Sequence, residues 1–145
     1  MSTVRDIIRA KGGEIWSVAP ETSVLEAIKK MAEKNVGALL VMKGDQVVGI
    51  ASERDFVRKV DLPNRASSDT PIAEIMTTEV ISIQASEPLE ECMEKMIEKN
   101  IRHLPVYDGE QLLGVISVRD VLKEVIEVQK SLIAQLERYI TGGGR

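Results

Sequence analysis

GIASERD at 49–55 returns as GVISVRD at 114–120, 65 residues later, with glycine, serine, arginine and aspartate kept and the positions between them changed. Outward from these heptapeptides, the same shift aligns 17–55 with 82–120 without a gap, and 15 of the 39 paired positions are identical. Eight of the other 24 exchange one aliphatic residue for another. A register held over that length is a duplication, and a unit that repeats often cannot bury its apolar face alone. Two copies suit a closed pseudo-symmetric pair better than a solenoid.

Both copies read alike. A short apolar segment, IWSV at 15–18 or VISI at 80–83, precedes a polar turn and then a helix, VLEAIKKMAEKN or LEECMEKMIEKN. Val24, Ala27, Ile28 and Met31 recur at helical spacing, as do Leu89, Cys92, Met93 and Met96. Thr22 or Ser23 is placed to cap the first helix, with Glu26 completing a capping box from Ser23. Two strands follow, ALLVM and HLPVY, joined through Gly44 and Gly109 to VVGIAS and LLGVIS as hairpins. Pro105 points to an edge or bulged position. A second helix starts near Glu53 and near Val118. The fold expected is therefore α/β (α+β), two pseudo-symmetric β-α-β-β-α units, with a first unit at 3–60, a linker at 61–71 and a second unit at 72–130. The lead-in IAEIM at 72–76 falls opposite IIRAK at 7–11 under the same shift. The last helix runs on through Leu132, Leu136 and Ile140, longer than the unit needs, so it packs back on its own domain or contacts a second copy. Residues 131–145 are read as its end and a frayed tail.

Bulk composition narrows the function. Aromatics are 3% of the chain and the net charge is −4, which argues against stacking platforms for single-stranded nucleic acid and against a general phosphate-backbone binder. No run of 18 apolar residues and no signal-peptide pattern is present, and the lone Cys92 forms no intrachain disulfide. An intracellular, cytoplasmic protein is expected, with no nucleic-acid or membrane partner.

The duplicated turn has two chemical readings. Ser52 and Asp55, like Ser117 and Asp120, stand three apart where a strand hands over to a helix. Serine then caps the helix and aspartate occupies its favourable first turn. The same geometry offers backbone N–H groups to phosphate, a carboxylate to the hydroxyls of a ribose, and an arginine (Arg54 or Arg119) to a phosphate oxygen. The two readings do not exclude each other.

Taken with the ETSVLEAIKKM helix, IAEIMTTEVISI and IRHLPVYDGEQLLGVIS, these turns make the chain resemble a tandem cystathionine-β-synthase (CBS) domain pair, or Bateman module, of the standalone type, from about Thr3 to Lys130. The resemblance implies non-catalytic regulatory binding of an adenosine-containing ligand (AMP, ADP, ATP, S-adenosylmethionine or NAD(H)) in clefts between two units. It also implies a homodimer and signalling to a separate protein. By the family pattern, Ser117 and Asp120 meet ribose in one cleft and Ser52 and Asp55 in the other, with Arg119 and Arg54 towards phosphate. Thr78, Val80 and Ile81 frame the base in one cleft, and Glu14, Ile15 and Trp16 in the other. Arg102 and His103 line the phosphate side of the first, where the second has Gly37 and Ala38. Ser117 and Asp120 are accordingly expected in the stronger site.

Rival readings remain open. The clefts are vestigial in a dimeric interaction module, or the chain is an enzyme on nucleotides. The latter ranks lowest, because His103 is the only histidine and no nucleophile or metal-ligand cluster accompanies it. Trp16 either stacks on a base or packs in a core or interface. Met31, Met93, Met96 and Cys92 follow helix faces and read as packing. No catalytic cofactor and no metal are expected.

Overall fold

The structure is a computed structural model, and it describes residues 2–59 and 67–143. Most of the expected linker at 61–71 lies outside the described residues, as do the last two of the tail; 67–70 form a turn. The elements in chain order are α1 (Val4–Lys11), β1 (Ser17–Val18), α2 (Val24–Lys34), β2 (Ala38–Lys43), β3 (Gln46–Ser52) and α3 (Glu53–Lys59). A short 3-10 helix (Ile72–Glu74) follows, then β4 (Ile83–Gln84), α4 (Leu89–Lys99), β5 (His103–Asp108), β6 (Gln111–Ser117) and α5 (Val118–Arg138). The mixed α/β character and the two-unit β-α-β-β-α order match the expectation from sequence.

Packing divides the chain across the linear order. One compact unit is Glu14–Ile81, called the first unit below; the other, the second unit, joins Met1–Gly13 to Ser82–Arg145. Each repeat is thus completed by the lead-in that precedes the other repeat. In the second unit, Val4 and Arg5 donate their N–H groups to the carbonyls of Glu87 and Ala85, both at 2.9 Å. In the first, Ile72 and Ala73 donate to Thr22 and Pro20 at 2.7 and 3.1 Å. The acceptors are repeat partners 65 apart, but the donors are 68 apart. The lead-in register expected from sequence is therefore corrected: VRDII at 4–8, and not IIRAK at 7–11, answers IAEIM at 72–76. The three extra residues fall after the lead-in, where α1 runs on to Lys11 and Gly12 and Gly13 follow.

Each unit holds a three-stranded sheet, β1-β2-β3 or β4-β5-β6, with the outer short strand parallel to the central one and the hairpin antiparallel. Glycine first in each two-residue hairpin loop takes positive φ, +62° at Gly44 and +64° at Gly109, as such loops require. Helices α2 and α4 end on left-handed asparagines, Asn35 (φ 54°) and Asn100 (φ 51°). Ser23, not Thr22, caps α2, its hydroxyl accepting from the Glu26 N–H at 3.1 Å. Pro105 overturns one expectation, since β5 is the central strand. The sheet accommodates it by dropping a rung. In the first unit Ser17 pairs with Leu40, whose N–H reaches the Trp16 carbonyl at 3.3 Å; proline at the equivalent position 105 has no donor, and pairing starts one residue later, at Ile83 with Val106.

The core of the first unit gathers Val24, Ala27, Met31, Leu39, Val41 and Ala51 with Ile72 and Ile75 from the lead-in. A three-residue 3-10 helix has little stability of its own. Full burial of two isoleucines contributes about 1.5–3 kcal/mol each, which anchors it. In the second unit Val4 and Ile7 play that part beside buried Leu89, Cys92, Leu104, Val106 and Ile116. The Cys92 thiol is pushed up to about 11 by burial, against a smaller opposing pull from Lys95, which makes it packing and no nucleophile.

Candidate functional site

The second unit's serine–aspartate turn is built by the junction of β6 and α5. Ser117 is extended (φ −107°, ψ 167°) and its hydroxyl accepts the Asp120 N–H at 3.2 Å. Asp120 replies through Oδ2, which accepts the Ser117 N–H at 2.8 Å and hydroxyl at 3.0 Å. This is a capping box, so the capping reading holds. A third donor meets the same oxygen: Lys11, from the last turn of α1, lies 2.8 Å from Oδ2 and 2.6 Å from the Val115 carbonyl. Among the described residues Oδ1 accepts no hydrogen bond. Burial raises the Asp120 carboxyl, but the hydrogen bond from Lys11, then Ser117 and the lysine's charge, outweigh it and leave it below the ordinary 3.8.

Its repeat partner is wired differently. Asp55 Oδ2 accepts the Ser52 N–H at 2.9 Å and hydroxyl at 3.2 Å, while Oδ1 accepts the Thr77 hydroxyl and the Lys59 ammonium, both at 3.1 Å. Both oxygens are engaged and the residue is 7% exposed. The Ile50 carbonyl, equivalent to that of Val115, is met by the Thr77 N–H at 2.8 Å. Thr77 thus does in the first unit much of what Lys11 does in the second.

Strand pairing carries the flanking candidates to these turns. His103 pairs with Ser117, and the Arg102 carbonyl accepts the Val118 N–H at 2.9 Å, so Arg102, His103, Ser117 and Asp120 share one corner, with exposed Arg119 on the first turn of α5. The imidazole of His103 is held below 6.5, first by burial and then by Lys11 and Arg102, against an opposite pull from Asp120; it is neutral at pH 7. In the first unit Ala38 pairs with Ser52 and the Gly37 carbonyl accepts the Glu53 N–H at 3.1 Å, while Arg54 is exposed on α3. Neither Gly37 nor Ala38 supplies a polar side chain there.

The remaining candidates are less closely tied to the turns. Thr78, Val80 and Ile81 lie in the first unit after its lead-in, where Thr77 and not Thr78 touches the serine–aspartate turn. Glu14 and Ile15 are exposed ahead of β1. Trp16 packs against the first unit's core with the Lys34 ammonium 4.5 Å from its ring centre, so that face of the indole is taken by a cation. Sequence reasoning missed Lys11, Thr77 and Lys59. Lys11 was legible as a cation closing the lead-in, but a uniform shift of 65 hid its place opposite the Thr77–Glu79 segment.

Comparison with known proteins now fits this geometry. The family model for the CBS domain matches twice, at 4–62 and 72–127. The chain belongs to the CBS-domain family. It is 34% identical over 152 residues to the mitochondrial CBS domain-containing protein CBSX3 of Arabidopsis thaliana, covering 98% of this chain and 73% of that one. A solved CBS-domain protein from Burkholderia ambifaria MC40-6, for which a signal-transduction role has been suggested, is 46% identical, with a TM-score of 0.84 over 87% of this chain and 95% of that one. The CBS domain pair of MJ0100, solved with 5′-methylthioadenosine and S-adenosyl-L-methionine, is 25% identical, with a TM-score of 0.73 over 86% and 96% of the two chains. Among the described residues, no helix of this CBS pair is long and apolar enough to cross a membrane.

Proposed function

We propose that this CBS pair is a non-catalytic, cytoplasmic regulatory module that binds an adenine nucleotide of the AMP or ATP kind at the Ser117–Asp120 corner and signals to a separate protein. The observation that carries the reading is the half-committed carboxylate. Among the described residues Asp120 keeps Oδ1 without a hydrogen bond, in the corner that strand pairing gives to Arg102 and His103, whereas both oxygens of Asp55 are engaged. A ribose hydroxyl therefore finds an acceptor at Asp120 and none at Asp55 without breaking an existing bond. The adenosine-type ligands of the MJ0100 pair support the ligand class. Ser52, Asp55, Arg54, Gly37 and Ala38 form the weaker site, where the rival reading of a purely structural cap is favoured by the saturation itself. Thr78, Val80 and Ile81, and Glu14, Ile15 and Trp16, stay candidates for framing a base through backbone groups.

Isothermal titration with AMP, ATP, NADH and S-adenosylmethionine tests this. We expect saturable binding of AMP or ATP that falls at least tenfold in Asp120→Ala and changes less than twofold in Asp55→Ala. Preference for NADH or S-adenosylmethionine would reassign the ligand, and silence from all four in folded protein would leave an interaction module.

We further propose a homodimer through α5. Its early residue Val121 is buried, while Leu132, Ile133 and Leu136 remain 52–54% exposed, an apolar stripe that Ile140, 79% exposed in the π-helical turn after α5, extends. Light scattering should show a dimer for the wild type and a monomer for Leu136→Glu; a monomeric wild type refutes it.

A further inference from the structure

Lys11 holds the Asp120 oxygen that the second hydroxyl of a chelating ribose diol would share. A carboxylate oxygen offers about two lone-pair sites, yet Asp120 Oδ2 already takes three donors. Two of them, the Ser117 N–H and hydroxyl, belong to the capping box and hold the start of α5. The third, the Lys11 ammonium, comes from another element, on a flexible side chain that is 34% exposed. One ribose hydroxyl can donate to Oδ1 with nothing displaced. A second, on Oδ2, requires Lys11 to leave.

Its departure has a consequence for selectivity. Once off Asp120, the ammonium keeps, among the described residues, the Val115 carbonyl as its one protein acceptor, in a corner where the cation Arg102 also acts on His103. A ligand that brings its own anion gives the released lysine a new partner; a neutral nucleoside does not, and a cationic sulfonium adds repulsion. Among its described residues the first unit has no such arrangement. Its lysine, Lys59, springs from the same helix as Asp55 and also bonds the Ile75 carbonyl at 3.0 Å, while Thr77, neutral, takes the lead-in's place at the carboxylate.

We propose that Lys11 is a specificity-determining residue, an internal occupant of Asp120 that yields to phosphate-bearing adenosine ligands and holds out against neutral ones. This rests on the adenine-nucleotide reading above and deepens it, from ligand class to the charge the ligand must carry. Lys11 is a positioning residue for Asp120 in the free protein and a phosphate partner in the complex.

The test is the ratio of AMP to adenosine affinity, by titration of the full chain. In the wild type AMP is expected to bind at least tenfold tighter than adenosine. In Lys11→Met adenosine binding should strengthen severalfold while AMP weakens, so the ratio collapses towards one; Lys11→Arg should restore most of it. Loss of packing alone would weaken both ligands together and leave the ratio intact, which overturns the proposal. So does a wild type that binds adenosine as well as AMP. A wild type that binds neither refutes the nucleotide reading itself, whereas AMP binding that is lost in Asp120→Ala, with an unchanged ratio in Lys11→Met, refutes only the role of Lys11.

Discussion

The two serine–aspartate turns have the same residues, the same hydrogen bonds from serine and the same place between a strand and a helix, yet they are closed by different chemistry. In the first unit the lead-in stops being helical at Glu74, so Thr77 comes in as backbone and makes a two-way bridge to Ile50 before offering its hydroxyl to Asp55. In the second, α1 stays helical to Lys11, no backbone bond from the lead-in to Val115 is found among the described residues, and one long side chain meets both the strand carbonyl and the carboxylate. Threonine plus lysine saturate Asp55; lysine alone leaves Asp120 half open. A duplicated motif therefore need not mean duplicated function. What decides is the element that arrives from elsewhere in the chain, and here three extra residues in one connector separate a carboxylate engaged at both oxygens from one engaged at a single oxygen among the described residues.

The comparison breaks most directly on the aspartates themselves. Asp55→Ala leaves the Ser52 N–H and the Thr77 hydroxyl without their acceptor at a 7% exposed position and takes from Lys59 its carboxylate partner, leaving it the Ile75 carbonyl, a loss of about 2–4 kcal/mol. Asp120→Ala removes a cap and one partly exposed lysine contact, about 1–2 kcal/mol. Denaturant unfolding should rank them in that order, while ligand titration ranks them in reverse. Equal costs in both assays would erase the distinction drawn between the turns. Next in size is Gly49→Ala. A Cβ there would lie 2.9 Å from Met76 Cγ and 3.2 Å from the Thr77 carbonyl oxygen, so the lead-in must shift at about 1–3 kcal/mol. Amide exchange at Ile50 and Thr77 should accelerate. Protection left as in the wild type would show that the lead-in does not press on β3 through this glycine.

These variants also mark how far the sequence could be read. The duplication, the hairpins and the capping geometry followed from periodicity, from glycine in two-residue loops and from serine spaced three before aspartate, all local signals. The crossing of the lead-ins was not local. VRDII and IAEIM share only an apolar pattern, and nothing in residue type says which repeat each will complete. Pro105 misled for a related reason: its missing donor does exclude a rung, but a two-residue neighbour strand can slide by one and lose only that rung. Ser117, Asp120, Arg102 and His103 could be named from the repeats, and the β5–β6 pairing brings them to one corner. Lys11, Thr77 and Lys59 were missed because their meaning depends on which oxygen they reach.

The smallest expected effect concerns His103, which the first unit replaces with Ala38. In the free protein the imidazole is neutral at pH 7, because burial, Lys11 and Arg102 together outweigh Asp120. A phosphate bound beside Arg102 would favour the protonated ring, so the complex would hold more protons than the free protein and affinity should rise as pH falls from 8 to 6. The second ionisation of AMP, near pH 6, works the other way by removing charge from the ligand. The informative quantity is therefore the affinity of the wild type relative to His103→Gln, in which the ligand's own titration cancels. That ratio should grow as pH falls from 8 to 6, because protonation of the ring is linked to phosphate binding. A ratio that stays flat would place His103 outside the reach of the phosphate and leave Arg102 and Lys11 as the cations that distinguish this corner from its duplicate.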